Sequence, residues 1–324
     1  MKRKLSVALV VVTLAGAGDL VGQGAARPCS SPEYHQFDFF AGHWVARKTD
    51  GQPAGTNWVS TELGGCMLLE HWTGATGTNG QSLNFYDRND RKWHQVWVDN
   101  EGNWLNLIGA LDGKSMNFTA TTVGAGGKPQ LIKAAFVDTL AGKVREHYES
   151  SDDDGSTWKP EFDAIFTNEE AGLNYDGPVP TACGQGPYRQ FDFWVGEWKV
   201  TTPDGKTAGT SSITREEDGC LIHEHWDGSV AGGAQGQSLN FYDTHDQQWH
   251  QQFVGAAGNA LHLVGSFQGG RMILTGHNQQ SGKPAVQRIT WSRNADGSVH
   301  QLWQTSLDDG KSWVTSFDGT YRKT

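Results

Sequence analysis

The sequence has no basic block beyond residue 4, and its 26 basic residues face 36 acidic ones for a net charge of −10. That sign excludes a nucleic-acid footprint or attraction to an anionic membrane surface. Methionine is scarce, at four, and the four cysteines form no C-x-x-C pair, which argues against a dithiol redox centre or a cysteine zinc site. No H-E-x-x-H zinc motif, phosphate loop or dinucleotide fingerprint occurs, and no G-x-S-x-G elbow with matched histidine and acid. No cofactor is therefore expected. Glycine (42) and tryptophan (14) are abundant instead, a balance that favours short strands joined by tight turns over helix bundles.

The first residues read as an address. Lys2, Arg3 and Lys4 precede the apolar run from Leu5 to Leu14, and a small-residue stretch ends at Gly24-Ala25-Ala26. This is the layout of a cleaved secretory signal over residues 1–26, and the run is too short to span a bilayer. The expectation is an exported, acidic protein, periplasmic or secreted, without membrane insertion.

The rest of the chain is written twice. Phe37-Asp38-Phe39-Phe40-Ala41-Gly42-His43-Trp44 returns as Phe191-Asp192-Phe193-Trp194-Val195-Gly196-Glu197-Trp198, and the octapeptide Gly80–Asp87 returns unchanged as Gly236–Asp243. Offsets hold between 154 and 156. The period is too long for a solenoid unit, so the chain is a duplicated domain, with repeats over 27–172 and 173–324 and a Gly/Pro-rich seam between them. Four cysteines allow three pairings. Cys29 maps to Cys183 and Cys66 to Cys220, and a duplicated domain most simply carries its own staple. Cys29–Cys66 and Cys183–Cys220 are thus expected, and export makes their oxidation plausible.

Period-two alternation recurs in Ser82–Tyr86, Trp93–Trp97 and Val286–Trp291, and turn dipeptides such as Asn79-Gly80, Asp112-Gly113 and Asp296-Gly297 follow every 8–14 residues. This pattern predicts an all-β fold of antiparallel hairpins, eight to ten strands per copy. Tyr34, Phe37 and Phe40 are three apart, as are Tyr188, Phe191 and Trp194, so one helical turn would close a barrel end in each copy. Near each copy's end, Ser151-x-Asp153-x-Gly155-x-Thr157-Trp158 and Ser306-x-Asp308-x-Gly310-x-Ser312-Trp313 resemble the Asp-box hairpin of sialidases, a turn motif rather than a catalytic one.

Gly42-x-Trp44 and Gly196-x-Trp198 resemble the Gly-x-Trp entry of calycins, the superfamily of lipocalins and fatty-acid-binding proteins. The resemblance implies two tandem antiparallel barrels of calycin type, each opened by a short helical turn. It also implies an arginine over the tryptophan, for which Arg322 is the candidate in copy two; copy one has Thr167 there. The motifs Gly65-Cys66, Ser82–Asp87, Trp93–Asp99 and Phe317–Arg322 further resemble a family of uncharacterised bacterial secreted proteins with a lipocalin-like domain. That family implies the fold and brings no activity with it.

The polar residues shared by both copies supply the candidate chemistry. Alternation puts Leu68, Glu70 and Trp72 on one strand face and Met67, Leu69 and His71 on the other, leaving open which face lines the lumen. A glutamate between apolar neighbours is desolvated if it faces inward, and then binds a ligand's polar group or exchanges a proton. Glu70, Trp72, Asn84, Tyr86 and His94, with Trp226, Asn240 and Tyr242, are the ligand-binding candidates. Glu224, His225 and His250 are the catalytic ones. His223, His225 and His250 form a remote zinc possibility, since copy one has Leu69 in place of His223 and a duplicated metal site is not expected. The leading expectation is a carrier of small hydrophobic or amphipathic ligands in one or both lumens, monomeric or homodimeric. The rival is a cofactor-independent isomerase, hydratase or lyase on a hydrophobic substrate. A face-to-face packing of the barrels stays open. One consequence is immediate: the oxidised protein weighs four hydrogens less than its reduced form by intact mass spectrometry, and a smaller deficit means an unformed bridge.

Overall fold

The computed structural model describes residues 27–139, 142–168, 182–280 and 282–324. The expected signal segment 1–26 and the repeat boundary at 172/173 lie outside them. The first copy contains strands β1 (Gly42–Lys48), β2 (Pro53–Glu62), β3 (Met67–Gly74), β4 (Asn79–Asp87) and β5 (Lys92–Asp99), then β6 (Trp104–Asp112), β7 (Ser115–Val123), β8 (Pro129–Thr139), β9 (Lys143–Ser151) and β10 (Lys159–Thr167). The second contains β11 (Gly196–Thr201), β12 (Thr207–Glu216), β13 (Leu221–Asp227), β14 (Gln235–Asp243) and β15 (Gln248–Gly255), then β16 (Asn259–Gln268), β17 (Arg271–Gln280), β18 (Lys283–Arg293), β19 (Val299–Ser306) and β20 (Val314–Lys323). Each set of ten is an antiparallel meander whose first strand also pairs with its last, giving two closed barrels in tandem.

Short 3₁₀ turns at Pro32–His35 and Asp38–Phe40 precede β1, and their counterparts Gly186–Arg189 and Asp192–Trp194 precede β11. Phe37 and Phe40 are fully buried and stack at 5.2 Å, closing one end of the first lumen over Trp93, Phe136 and Phe166. Phe191 and Trp194 repeat this plug at 4.8 Å. The Trp44 indole donates to the Phe40 carbonyl at 2.9 Å, and Trp198 to the Trp194 carbonyl at 2.8 Å, locking plug to first strand. Gly42 has φ +153°, and a Cβ there would lie 3.1 Å from the Trp44 ring, which explains the glycine of Gly-x-Trp.

Both expected disulfides are present, Cys29–Cys66 and Cys183–Cys220, each closing 37 residues. A loop of that length stabilises by roughly 3–4 kcal/mol in the chain-entropy view. The Asp-box turns also form. Asp153 accepts from the Thr157 amide at 2.8 Å and its hydroxyl at 2.6 Å, with Lys133 over the Trp158 ring, and Asp308 and Arg288 play these parts in copy two. The arginine expected over Trp198 is replaced by its neighbour. Strand alternation turns Arg322 outward to Thr201, while Lys323, the register partner of Trp198, places its Nζ 5.4 Å from the indole.

The barrels pack face to face. Met67, Leu69, Leu83, Phe85, Val96 and Val98, on the outer faces of β3–β5, form one apolar cluster with Leu221, Leu239, Phe241 and Val254 of β13–β15. Polar contacts edge this seam, with Gln81 donating to Glu217 at 2.9 Å and Asn100 to Asp218 at 2.9 Å. The β5–β6 turn of each barrel tucks under the other's disulfide end. A Cβ on Gly102 (φ +84°) would lie 2.9 Å from the Tyr188 hydroxyl, and one on Gly258 (φ +71°) 2.6 Å from that of Tyr34. Leu83 reaches no lumen, so in an isolated barrel its truncation would matter little. At this seam Leu83→Ala is expected to cost about 3 kcal/mol, as for other buried leucines. Urea unfolding checks it, and a loss under about 0.5 kcal/mol, the range of ordinary surface changes, means the barrels do not pack this way.

Candidate functional site

Strand alternation sorts the candidates. Leu68, Glu70 and Trp72 face the first lumen, and Ile222, Glu224 and Trp226 face the second. On β4 the inward face is polar: Ser82 and Asn84 point in, while Leu83 and Phe85 point to the seam. A hydrophobicity pattern alone would have assigned that strand the other way round.

Each lumen rests on a buried carboxyl. Glu70 is 5 % exposed and accepts from Asn57 Nδ2 at 2.8 Å, Ser82 Oγ at 2.5 Å and Gln95 Nε2 at 3.3 Å. Glu224 is 6 % exposed and accepts from Ser211 Oγ at 3.1 Å and Ser238 Oγ at 3.0 Å. Burial raises both carboxyls, Glu224 to about 7, and the hydroxyl donors offset only part of that rise.

Above these floors the copies diverge. The first barrel holds a cavity of about 830 Å³ walled by Trp72, Trp97, Leu107, Tyr148 and Phe162, with Glu146 reaching in beside Glu70. The second holds about 400 Å³ walled by Trp226, Phe253, Trp303, Phe317 and Tyr321, with Gln251, Gln287 and Gln301 among its amides. Burial raises the Glu146 carboxyl well above its ordinary value and the nearby Glu70 charge adds to this, while Tyr148 is pushed up to about 12 chiefly by burial. The Tyr321 hydroxyl donates to Gln301 at 2.5 Å.

The remaining candidates lie elsewhere. Asn84 and Asn240 sit behind the cavity walls, donating to Ser82 Oγ at 2.7 Å and Ser238 Oγ at 3.0 Å. Tyr86 and Tyr242 are under the capped ends, edge-on to Tyr34 at 5.3 Å and Tyr188 at 5.5 Å. His94 lies on the outer face of its barrel, stacked on Phe85 and 2.9 Å from Asp90.

The proposed proton-exchanging set is not assembled. His225 is on the opposite strand face from Glu224, at the seam, 4.1 Å ring to ring from His223. His223 is bonded to Gln237 at 3.0 Å. His250 is at a different part of the seam, against Trp104 of the first barrel, with Asp246 at 2.9 Å and His262 at 3.2 Å. His223, His225 and His250 therefore make no common metal site. The carboxylate–histidine groupings among the described residues are Asp87, Asp90 and His94, and Asp243, Asp246 and His250. In each the first aspartate already caps its own turn, accepting from the Asn89 or His245 amide at 2.8 Å. The residues passed over in the sequence are Glu146, Tyr148 and Trp97, and Gln301, Trp303 and Tyr321. A search for residues shared by both copies discards them, because they are the positions at which the copies differ.

No protein-family model and no curated protein matches the chain. Among solved structures it is similar to a protein of unknown function from the DUF3598 family of Nostoc punctiforme PCC 73102, with 10% identity over 91% of this chain and all of that one, at a TM-score of 0.20. It is also similar to a candidate outer membrane protein of Bacteroides fragilis NCTC 9343, with 9% identity over 86% of this chain and 93% of that one, at a TM-score of 0.18. Likenesses of that degree carry no argument about function, and the two barrels remain compatible with a ligand-binding fold on their own geometry.

The raised Glu224 carboxyl makes stability depend on pH. Below the ordinary 4.5 both folded and unfolded chains hold the proton; between 4.5 and about 7 only the folded chain does, so stability falls as pH rises. Above about 7 the loss is complete, on the order of 3 kcal/mol for a shift of this size. Glu224→Gln removes this slope. Its urea midpoint is expected to exceed the parent's at about pH 8 and to match it near pH 4, and equal pH slopes would show that Glu224 ionises freely.

Proposed function

We propose that this protein is an exported binding or carrier protein that takes small, largely apolar molecules into its two lumens. The observation that carries this reading is that each closed barrel surrounds a cavity with aromatic walls over a buried floor glutamate: about 830 Å³ over Glu70 and about 400 Å³ over Glu224. Small-molecule sites are of this size and kind, mostly apolar with a few placed polar groups. Two disulfides fit an oxidising compartment outside the cytoplasm. In a carrier the glutamate anchors a hydroxyl, carbonyl or amine while tryptophan and phenylalanine faces hold the apolar body.

The enzymatic alternative keeps one supporting observation, a Glu224 carboxyl near 7 that suits a general acid or base at neutral pH. Its proton partner within the lumen would be Tyr321, whose hydroxyl is raised by burial and by the Glu224 charge, in place of His225 or His250.

The neutral fluorophore N-phenyl-1-naphthylamine tests the binding reading. Saturable fluorescence enhancement is expected, and Trp226→Ala is expected to weaken the second site by about tenfold, a loss of about 1.4 kcal/mol. Absence of saturable binding, or binding indifferent to both Trp72→Ala and Trp226→Ala, would sink it.

A further inference from the structure

The two lumens differ in charge, and that difference defines a ligand class. Among the described residues the first cavity is lined by five carboxyl groups, Glu70, Asp99, Glu146, Glu161 and Asp243, with His245 as its one basic group and no lysine or arginine. Among the described residues Glu224 is the single carboxyl that lines the second. Copy two carries Gly255, Gln301 and Ser316 where copy one has Asp99, Glu146 and Glu161, and one of these changes, at Glu146, is coupled to a second position. In copy two, Gln301 accepts the Tyr321 hydroxyl at 2.5 Å, so both polar groups are satisfied. In copy one the same positions are Glu146 and Phe166. Phe166 is fully buried and has no hydroxyl to give. Among the described residues no hydrogen bond or ion pair reaches the Glu146 carboxylate; its register neighbours are Phe136 and Ala164, and what remains accessible of it opens onto the cavity.

The floor of the first barrel is also short of donors. Behind the cavity wall Asn57 and Asn84 are 3 % and 0 % exposed, and among the described residues the carbonyl oxygen of each is buried without a hydrogen-bond partner. In copy two Ser211 stands at the Asn57 position, and the Asn240 carbonyl oxygen accepts from Gln251 at 2.7 Å. Burial and the neighbouring Glu70 charge disfavour an ionised Glu146 on its own, and an enclosed cation that donates hydrogen bonds stabilises that ionised form. The walls of Trp72, Trp97, Tyr148 and Phe162 suit an organic cation, through cation–π contact and apolar burial of its body, better than a hydrated metal ion.

Building on the binding reading above, we propose that the first barrel is selective for an amphipathic amine, a primary ammonium on an apolar body held at Glu146 and Glu70, while the second takes neutral ligands. The Glu146/Phe166 to Gln301/Tyr321 exchange is the selectivity switch.

Calorimetry of the full disulfide-bonded chain with octylamine, octanol and octanoate tests this. Octylammonium is expected to bind at one site at least tenfold more tightly than octanol, with octanoate weakest. Glu146→Gln, which installs the residue that copy two carries at this position, is expected to abolish the preference for the amine, bringing the ratio of octylamine to octanol affinities to about one. The double change Gln301→Glu with Tyr321→Phe is expected to raise the number of octylammonium sites from one to two. Equal affinity for amine and alcohol, unaffected by Glu146→Gln, overturns the selectivity while leaving ligand binding intact. Competition by calcium that Glu146→Gln removes would assign the site to an inorganic cation and also overturn it. Failure of all three octyl compounds and of the neutral naphthylamine would remove the binding reading itself.

Discussion

The structure depends on burying both faces of the β3–β5 and β13–β15 sheets. A strand offers two faces, and in an isolated barrel one of them meets water. Here the outward faces carry Met67, Leu69, Leu83 and Phe85, matched by Leu221, Leu239 and Phe241, and the two barrels cover each other. That arrangement frees the inward faces to be polar. Glu70, Ser82, Asn84 and Gln95 can face a lumen because the apolar partners they alternate with are buried at the seam. The same packing leads Trp104 across to Phe241, His250 and His262, so the first cavity's mouth is bordered by Asp243 and His245 of the second barrel.

Duplication then allows the copies to divide their chemistry. Disulfide, aromatic plug, Asp-box turn and floor glutamate recur almost unchanged, because each answers a need of the barrel itself. The walls change. Trp97 becomes Phe253, Tyr148 becomes Trp303, and Glu146 with Phe166 becomes Gln301 with Tyr321. One lumen is wide and acidic and the other narrower and neutral. Each keeps a carboxyl held up by burial, over serine hydroxyl donors at Glu224 and over one serine and two amide donors at Glu70.

Much of the scaffold was legible in the sequence because it rests on local or repeated signals. The pairing of Cys29 with Cys66 follows from duplication, the plug residues Phe37 and Phe40 from their spacing, and the Asp153 and Asp308 turns from a motif whose bonds lie within five residues. The position of Arg322 was misjudged by one residue, since alternation brings Lys323 rather than Arg322 back to Trp198. The shared polar residues were a mixed guide. Glu70, Trp72, Glu224 and Trp226 line the cavities, whereas Tyr86, Tyr242 and His94 serve the capped ends and the outer face.

The sequence by itself determined the duplication, the strand-rich composition, the disulfide partners and the sorting of residues into two strand faces, because these depend on order along the chain and on the period of two. Only the tertiary structure decided which face became lumen. That choice rests on barrel closure and on the second barrel lying against the first, and leucine reads the same whether it fills a core or a seam. It also decided that His225 and His250 stay outside the lumen, and that Glu146, unmatched in the repeat, stands beside Glu70 across strands distant in sequence.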